Sequence, residues 1–270
     1  MLTNSEIYYL HTIETWEQQL NDYRLTNEAK RYKKYLEMGV KLLPDTTKSS
    51  LFMLMDRSLF ELQSVLFNSS AQKKATDKIL QTARVFHNNI FRLEDMNKLT
   101  IDQLNLLAQQ HIAHYRMLAF SQGALTGSGK SSLLLTDILA ALVINLRSIQ
   151  VIASIYGRPA NTPYEIMTVL KVFYAACLPK ELQGNAWNEL MEELVYKEEF
   201  FYKGKEEIVD ESNFELLVKQ CVKLLFITMY SKSSPLVSML IGGGTNYHFT
   251  RKVTEFAHNY YQKSHLLIKK

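Results

Sequence analysis

The most specific chemical pattern in this chain lies at residues 124–131, which read ALTGSGKS. The pattern fits a relaxed P-loop, in which backbone N–H groups surround phosphate oxygens. In such a loop Lys130 would contact the β and γ phosphates and Ser131 would bind magnesium. Gly129, Lys130 and Ser131 are therefore the candidate nucleotide-binding residues. A working P-loop also needs a buried strand before Ala124, so the neighbouring elements decide the interpretation.

The residues before this segment favour a helix. Apolar residues recur there at helical spacing, at Leu104, Ala108, Ile112, Tyr115 and Ala119. No short Val/Ile-rich run precedes Ala124, as a central parallel strand would require. Gly123 and Gly127 fall on one helix face, which allows two helix backbones to approach closely. We expect residues 124–131 to form a glycine-rich bend, and we expect no nucleotide or other cofactor.

Other patterns that carry chemistry are incomplete. Glu255 and His258 have the i,i+3 spacing of di-iron bundles, but such a site needs a second pair and two further glutamates. The sequence contains neither a Gly-x-Ser-x-Gly elbow nor a Cys-x-x-Cys pair. We therefore predict no metal site and no catalytic residue set, and the chain is more consistent with a binding protein than with an enzyme.

Composition indicates a globular protein of the cytoplasm. Hydrophobic residues make up 47% of the 270 positions and charged residues 21%, as in ordinary soluble domains. A net charge of +4 is too small to indicate nucleic-acid binding. Cys177 and Cys221 lie in apolar surroundings, which predicts buried, reduced thiols. The first twenty residues lack a basic start and an apolar core, so no signal peptide is predicted.

Helical periodicity along the whole chain predicts an all-α fold. We expect a single globular bundle of eight to ten helices over residues 1–270, with N-terminal helices in 1–100 and glycine-hinged helices in 101–270. Thr100 and Gln103 have the form of a capping box, and Thr162 is a good N-cap before Pro163. Breaks are expected between the helices, including one at the glycines 242–244.

Residues 133–156 form the most apolar predicted helix, and two of its charges are the candidates for a polar site. Asp137 and Arg147 are ten residues apart, about 15 Å along a helix. They cannot pair with each other, so each needs a partner from another helix or from solvent. The helix is expected in a protein core or partly in lipid. Two interpretations stay open: charges satisfied by other helices, or a lipid-binding pocket near Asp137 and Arg147.

An ordered set of motifs resembles the EcsC family, which is named after the third gene of the Ecs ABC-transporter operon of Gram-positive bacteria. The central part is a GALTG turn, an aspartate, an R-x-I-Q-x-I-A helix, a Tyr-Gly stop and a following proline, and the outer parts are a Pro step near the N-terminus and a Pro/Gly/Asn helix near the C-terminus. The positions that carry it are Pro44, Gly123, Gly127, Asp137, Arg147, Gln150, Tyr156, Gly157, Pro163, Pro235, Gly242 and Asn246.

The resemblance implies a bacterial, largely helical protein, and it does not imply a reaction. Its link to a transporter operon favours a non-enzymatic protein that lies on the inner face of the cell membrane. Membrane lipid or a membrane protein such as an ABC transporter is the expected partner, with a role linked to transport or secretion. The alternatives are nucleotide binding or hydrolysis at residues 124–131, and the lipid-binding pocket described above. Lys130 creates the P-loop pattern where relatives often carry small residues, which weakens the nucleotide alternative.

Overall fold

The computed structural model describes residues 2–22, 45, 49, 51–56, 58, 62, 66, 69–126, 131–178, 180–202, 211–230 and 235–269. These ranges contain no β-strand, and the predicted all-α bundle is confirmed. The long helices are α1 (Asn4–Asn21), α2 (Ser69–Ala83), α3 (Ile101–Thr126), α4 (Ser131–Ile155), α5 (Pro163–Cys177), α6 (Lys180–Tyr202), α7 (Glu211–Tyr230) and α8 (Pro235–Ile268). A 3-10 helix, Leu93–Lys98, lies between α2 and α3.

Local sequence signals explain where several of these helices begin. Before α3, the Gln103 amide donates to the Thr100 hydroxyl at 3.3 Å, and the Thr100 amide donates to the Gln103 side chain at 2.9 Å. This is the predicted capping box, which satisfies two backbone donors that a helix start leaves free. Before α5, the Thr162 hydroxyl accepts the Glu165 amide at 3.3 Å, with Pro163 in the first helical position.

The end of α4 is set by Gly157. This residue has φ +78°, and the amides of Gly157 and Arg158 donate to the carbonyls of Ser154 and Ala153. The pattern is a Schellman motif, which satisfies carbonyls at the helix end and favours glycine in the left-handed conformation. A Cβ at Gly157 would lie 3.2 Å from the Leu93 carbonyl oxygen. The Tyr-Gly stop is therefore required both by backbone conformation and by the close approach of the 3-10 helix.

Helices α3, α4 and α8 form the centre of the bundle, and α8 packs most extensively against α3. One continuous apolar core extends from Ile13 on α1 to Leu266 on α8. Aromatic contacts hold α1 and α6 against α8: the Trp187 ring centroid lies 4.9 Å from that of Trp16 and 5.3 Å from that of Phe256. Such edge-on pairs add to the hydrophobic stabilisation of the buried surface.

The predicted break at the glycines 242–244 is wrong, because α8 continues through them from Pro235. Each glycine lowers helix stability by about 1 kcal/mol relative to alanine, so the three cost about 3 kcal/mol. The buried face of α8 from Asn246 to Leu266 stabilises the long helix against that cost. At the other glycine-rich segment, α3 continues to Thr126 with Gly123 buried. Four candidate positions lie outside the described residues: Pro44, Gly127, Gly129 and Lys130.

Candidate functional site

The P-loop pattern lacks the strand that a nucleotide site needs. Ala124 lies within α3, and the twenty-six-residue helix leads into the segment from Ile101. Ser131 is the first residue of α4. A phosphate-binding loop depends on a strand that directs the loop across the carboxyl edge of a sheet. The structure thus supports the expectation of a helix before Ala124, and it leaves the nucleotide interpretation without its structural basis.

Asp137 contacts two other helices at one end of the bundle. The Gln122 side-chain amide on α3 donates to the Asp137 carboxylate and, at 3.3 Å, to the Asp137 carbonyl. The Asn246 amide on α8 lies 3.5 Å from the same carboxylate and 3.4 Å from the Gln122 oxygen. Two positions of the sequence pattern, Asp137 and Asn246, thus contact each other and Gln122, a residue that sequence reasoning did not select. Hydrogen bonds to a carboxylate are stronger than neutral ones and here connect α3, α4 and α8.

Arg147 lies apart from Asp137, as the helical spacing required. Its Nη1 donates to the side-chain oxygens of Gln72, at 3.3 Å, and Gln150, at 3.1 Å. The guanidinium is half-buried, and desolvation lowers the pKa of Arg147, with Tyr115 acting in the opposite direction. The structure therefore places Asp137 and Arg147 in two separate polar clusters.

Gln150 has a fully buried side chain that joins three parts of the chain. Its Nε2 donates to the carbonyls of Leu66, at 3.3 Å, and Ala160, at 3.1 Å, while its oxygen accepts from Arg147. Gln72 is held in turn by donating to the Ser154 hydroxyl at 3.2 Å. The amide of Gln150 satisfies backbone oxygens that would otherwise be buried without a donor. This explains the glutamine of the R-x-I-Q pattern as a structural connector.

Tyr156, the residue before the Gly157 stop, contacts a buried histidine on α8. Its hydroxyl oxygen lies 2.9 Å from Nε2 of His258. Burial and, to a smaller extent, the Arg116 guanidinium together lower the pKa of His258 to about 4. Burial also raises the pKa of Tyr156. Both side chains are consequently neutral at ordinary pH and are joined by a neutral hydrogen bond.

Sequence reasoning missed a row of buried polar residues on α8. They occupy every fourth position, so they lie on one helix face: Asn246, Thr250, Thr254, His258 and Gln262. We call this row the polar seam. Arg116 on α3 donates through Nε to the Thr254 hydroxyl at 3.1 Å, and Asn246 and His258 reach Asp137 and Tyr156. The four-residue spacing was visible in the sequence, but polar side chains at that spacing ordinarily indicate a solvated face.

The Glu255 and His258 pair does not act as a unit in this structure. Glu255 is exposed, whereas His258 points inward to Tyr156. Within the described ranges no three His, Cys, Asp or Glu side chains lie close enough to hold a metal ion. Both cysteines are buried and unpaired, as predicted, and burial raises the pKa of each thiol.

One helix in the described part of the chain, Asp137–Ile155, is long and apolar enough to cross a membrane. Of that span, 78% is buried inside the protein. The core helix of a soluble protein meets the same length and composition criteria. Its four most buried polar residues, Asn145, Ser148, Gln150 and Ser154, are at most 1% exposed. The polar sector of α4 thus faces other parts of the protein.

Comparison with known proteins identifies one family. The model of the EcsC protein family matches residues 8–266, which is nearly the whole chain. Comparisons with curated proteins and with solved structures gave no match. The matched range includes both polar clusters, the Tyr-Gly stop and the polar seam of α8. The chain belongs to the EcsC protein family.

Proposed function

We propose that this protein binds the surface of an anionic membrane through one end of its helical bundle, in a binding role without a reaction of its own. This end consists of residues 117–126 of α3, 131–137 of α4, 224–230 of α7 and 235–246 of α8, and we call it the glycine end. Short links join α3 to α4 and α7 to α8. The contacts among Gln122, Asp137 and Asn246 hold three of the four helices together there.

The composition of the glycine end supports this proposal. Residues 117–136 contain no aspartate or glutamate, and neither do residues 224–246, so Asp137, which accepts from Gln122, is the one acidic residue of the glycine end. Acidic residues occupy 27 of the 270 positions of the chain, so their scarcity here is a local property. The two links, which lie outside the described residues, contribute Lys130 and Lys232, the only basic residues of the sequence segments 117–136 and 224–246. Apolar residues with a few cations match the interfacial region of a bilayer that contains anionic lipid.

The observation that carries the proposal is the exposed apolar surface on α3. Met117 is 58% exposed, Phe120 44% and Leu118 42%. Neighbouring apolar side chains in water are unfavourable, and a contiguous group of them marks an interaction surface. These residues directly precede Gln122, which holds the glycine end together. Their burial at an interface would contribute about 25 cal/mol for each Å² removed from water.

The packing of α4 agrees better with attachment of the folded protein to one membrane surface than with insertion of α4 across the membrane. The apolar helix α4 is covered by other helices, and its polar residues are engaged within the protein. Its release into lipid would break those contacts and leave the polar groups without partners. A peripheral mode requires no such rearrangement.

The proposal is tested by flotation of the purified full chain with vesicles. We expect the protein to float with vesicles that contain phosphatidylglycerol and much less with pure phosphatidylcholine. Added salt should weaken binding, because it screens the attraction between lysines and lipid. The double substitution Leu118→Ser and Phe120→Ser should weaken binding by roughly tenfold or more, since each side chain loses apolar burial.

A matched control uses exposed apolar residues away from the glycine end. Phe91 and Leu216 are 64% and 56% exposed, and Phe91 precedes the 3-10 helix at the opposite end of α4. Phe91→Ser with Leu216→Ser should leave vesicle binding unchanged. The proposal fails if wild-type protein does not bind anionic vesicles, or if both double variants bind equally well. Binding only to membranes that contain a particular transporter would show that a protein, and not lipid, is the partner.

A further inference from the structure

Arg147 is a half-buried cation that no carboxylate neutralises within the described residues. None of the ion pairs in those ranges includes it. Among the described residues, the phenol of Tyr115 is the titratable group that affects the pKa of Arg147. Charges removed from water are ordinarily paired, because desolvation of an ion is costly. A guanidinium kept in this position by the fold therefore needs an explanation beyond stability.

The surrounding residues hold the guanidinium in one orientation. Its Nη1 donates to the side-chain oxygens of Gln72 and Gln150. The amide nitrogens of both glutamines make further hydrogen bonds, which fix the positions of those oxygens. Gln150 donates to two backbone carbonyls, and Gln72, only 4% exposed, donates to the buried Ser154 hydroxyl. The edge formed by Nε and Nη2 makes no hydrogen bond to any described residue. That edge is the bidentate donor pair with which arginine binds carboxylate and phosphate groups.

Further side chains of α3 and α2 act electrostatically in this part of the bundle, and Tyr115 of α3 acts on Arg147 itself. Tyr115 and His111 are four residues apart on α3, so they share one face. Lys78 on α2 lies close enough to His111 to lower the histidine pKa, and His114 acts in the same direction. Arg147 on α4 contacts Gln72 of α2, and Tyr115 on α3 and Lys78 on α2 add a phenol and a second cation, whereas burial favours the neutral form of His111. Such a set suits a group with two negative charges better than a single carboxylate.

We propose that Arg147 is the anion-binding residue of a site between α2, α3 and α4, and that this site takes a phosphate monoester or inorganic phosphate. The Nε and Nη2 edge binds two phosphate oxygens, the Tyr115 hydroxyl donates to a third, and Lys78 supplies long-range attraction. The site is separate from the glycine end, because Arg147 lies about 15 Å along α4 from Asp137. The proposal does not rest on membrane binding.

The experiment measures binding of inorganic phosphate to the full chain by titration calorimetry, in vesicle-free buffer with chloride at equal ionic strength as reference. We expect saturable binding by wild type and a dissociation constant raised roughly tenfold or more in Arg147→Gln. Arg147→Lys keeps the positive charge but loses the bidentate Nε and Nη2 donor pair, so it should bind phosphate more weakly than wild type. Tyr115→Phe should lose a few-fold in affinity, and the exposed Arg251→Gln should match wild type.

Thermal unfolding of each variant in buffer separates loss of the site from loss of the fold. If Arg147→Gln does not fold, the phosphate affinities of wild type, Arg147→Lys and Tyr115→Phe test the proposal instead. The proposal is overturned if phosphate binds no better than chloride, or if these substitutions leave phosphate affinity unchanged. Glycerol 3-phosphate and vesicles with phosphatidic acid distinguish a soluble phosphate ester from a lipid headgroup. Vesicle binding that survives Arg147→Lys, with phosphate binding lost, would separate this site from the glycine end.

Discussion

The Tyr156 hydroxyl oxygen and Nε2 of His258 lie 2.9 Å apart, although 102 positions separate the two residues in the chain. This contact joins the end of α4 to the middle of α8. His258 is 8% exposed and Tyr156 3% exposed, so the hydrogen bond forms where water does not compete for either group. The contact makes the packing of α8 sensitive to the protonation of His258.

Stability should fall as the solution becomes acidic. Burial lowers the pKa of both His258 and His265 to about 4, against about 6.5 in an unfolded chain. Between these values the unfolded state binds more protons, so the free energy of unfolding decreases as pH decreases. The contribution of these histidines should be nearly constant above about pH 7.5, and His258 alone should contribute a loss on the order of 3 kcal/mol by pH 4.

Urea unfolding at several pH values measures this effect. Besides burial, Arg116 lowers the pKa of His258, and Lys269 and Arg158 lower the pKa of His265. His258→Gln should be less stable at neutral pH and should show a shallower dependence on pH. His248, exposed on the same helix, supplies the control, and His248→Gln should follow the wild-type curve. Equal unfolding free energies at neutral pH and about pH 5 would contradict the prediction.

Gly157→Ala should destabilise the protein by about 1 to 2 kcal/mol, because alanine resists positive φ. The added Cβ would also crowd the Leu93 carbonyl at 3.2 Å. Asparagine tolerates the left-handed conformation better, so Gly157→Asn should lose less stability than Gly157→Ala despite its larger side chain. Thermal or urea unfolding of the three proteins checks this order. If alanine is tolerated fully, neither conformation nor crowding accounts for the Tyr-Gly stop.

Gln150→Leu should cost about 2 to 4 kcal/mol, although leucine has a similar size. The substitution leaves the carbonyls of Leu66 and Ala160 without this donor, and buried unsatisfied carbonyls are expensive. Ser148→Ala is the matched control, since Ser148 is equally buried but donates only to Asn145 of its own helix. We expect a loss below about 1 kcal/mol there. Similar losses for both variants would argue that Gln150 has no special connecting role.

The two thiols should resist modification in the folded protein. Cys177 and Cys221 are buried, and burial raises both thiol pKa values, which reduces the thiolate that reacts. A thiol-specific dye such as Ellman's reagent should label neither cysteine at neutral pH without denaturant, and both after unfolding in urea. Rapid labelling of either cysteine in the native state would mean that the core opens near it.

Local and periodic features of the fold were predictable from the sequence. The capping box at Thr100 and the N-cap at Thr162 depend on residues within three positions of each other, so sequence spacing contains the needed information. The break at the glycines 242–244 was predicted wrongly. Glycine weakens a helix without forbidding it, and the packing of a long helix decides the outcome.

The partners of the polar residues were harder to predict. The spacing of Asp137 and Arg147 excluded their pairing, but it did not indicate Gln122 or Gln72 as the partners. Gln122 and Asp137 are 15 positions apart in the chain, and Gln72 and Arg147 are 75 positions apart. A side chain's type and spacing do not specify such distant neighbours, and the inward polar seam of α8 has the spacing of an ordinary wet face.

The amino-acid sequence by itself determined that this protein is helical, where several helices start and stop, that its cysteines are buried and which family it resembles. These properties follow from periodicity, capping and motif order, which act over short distances or along the chain. Only the tertiary structure decided that α3 includes Ala124, that the polar face of α4 is buried, and which residues contact Asp137 and Arg147. Burial and hydrogen-bond partners depend on which helices pack together, and that choice is made by the whole core.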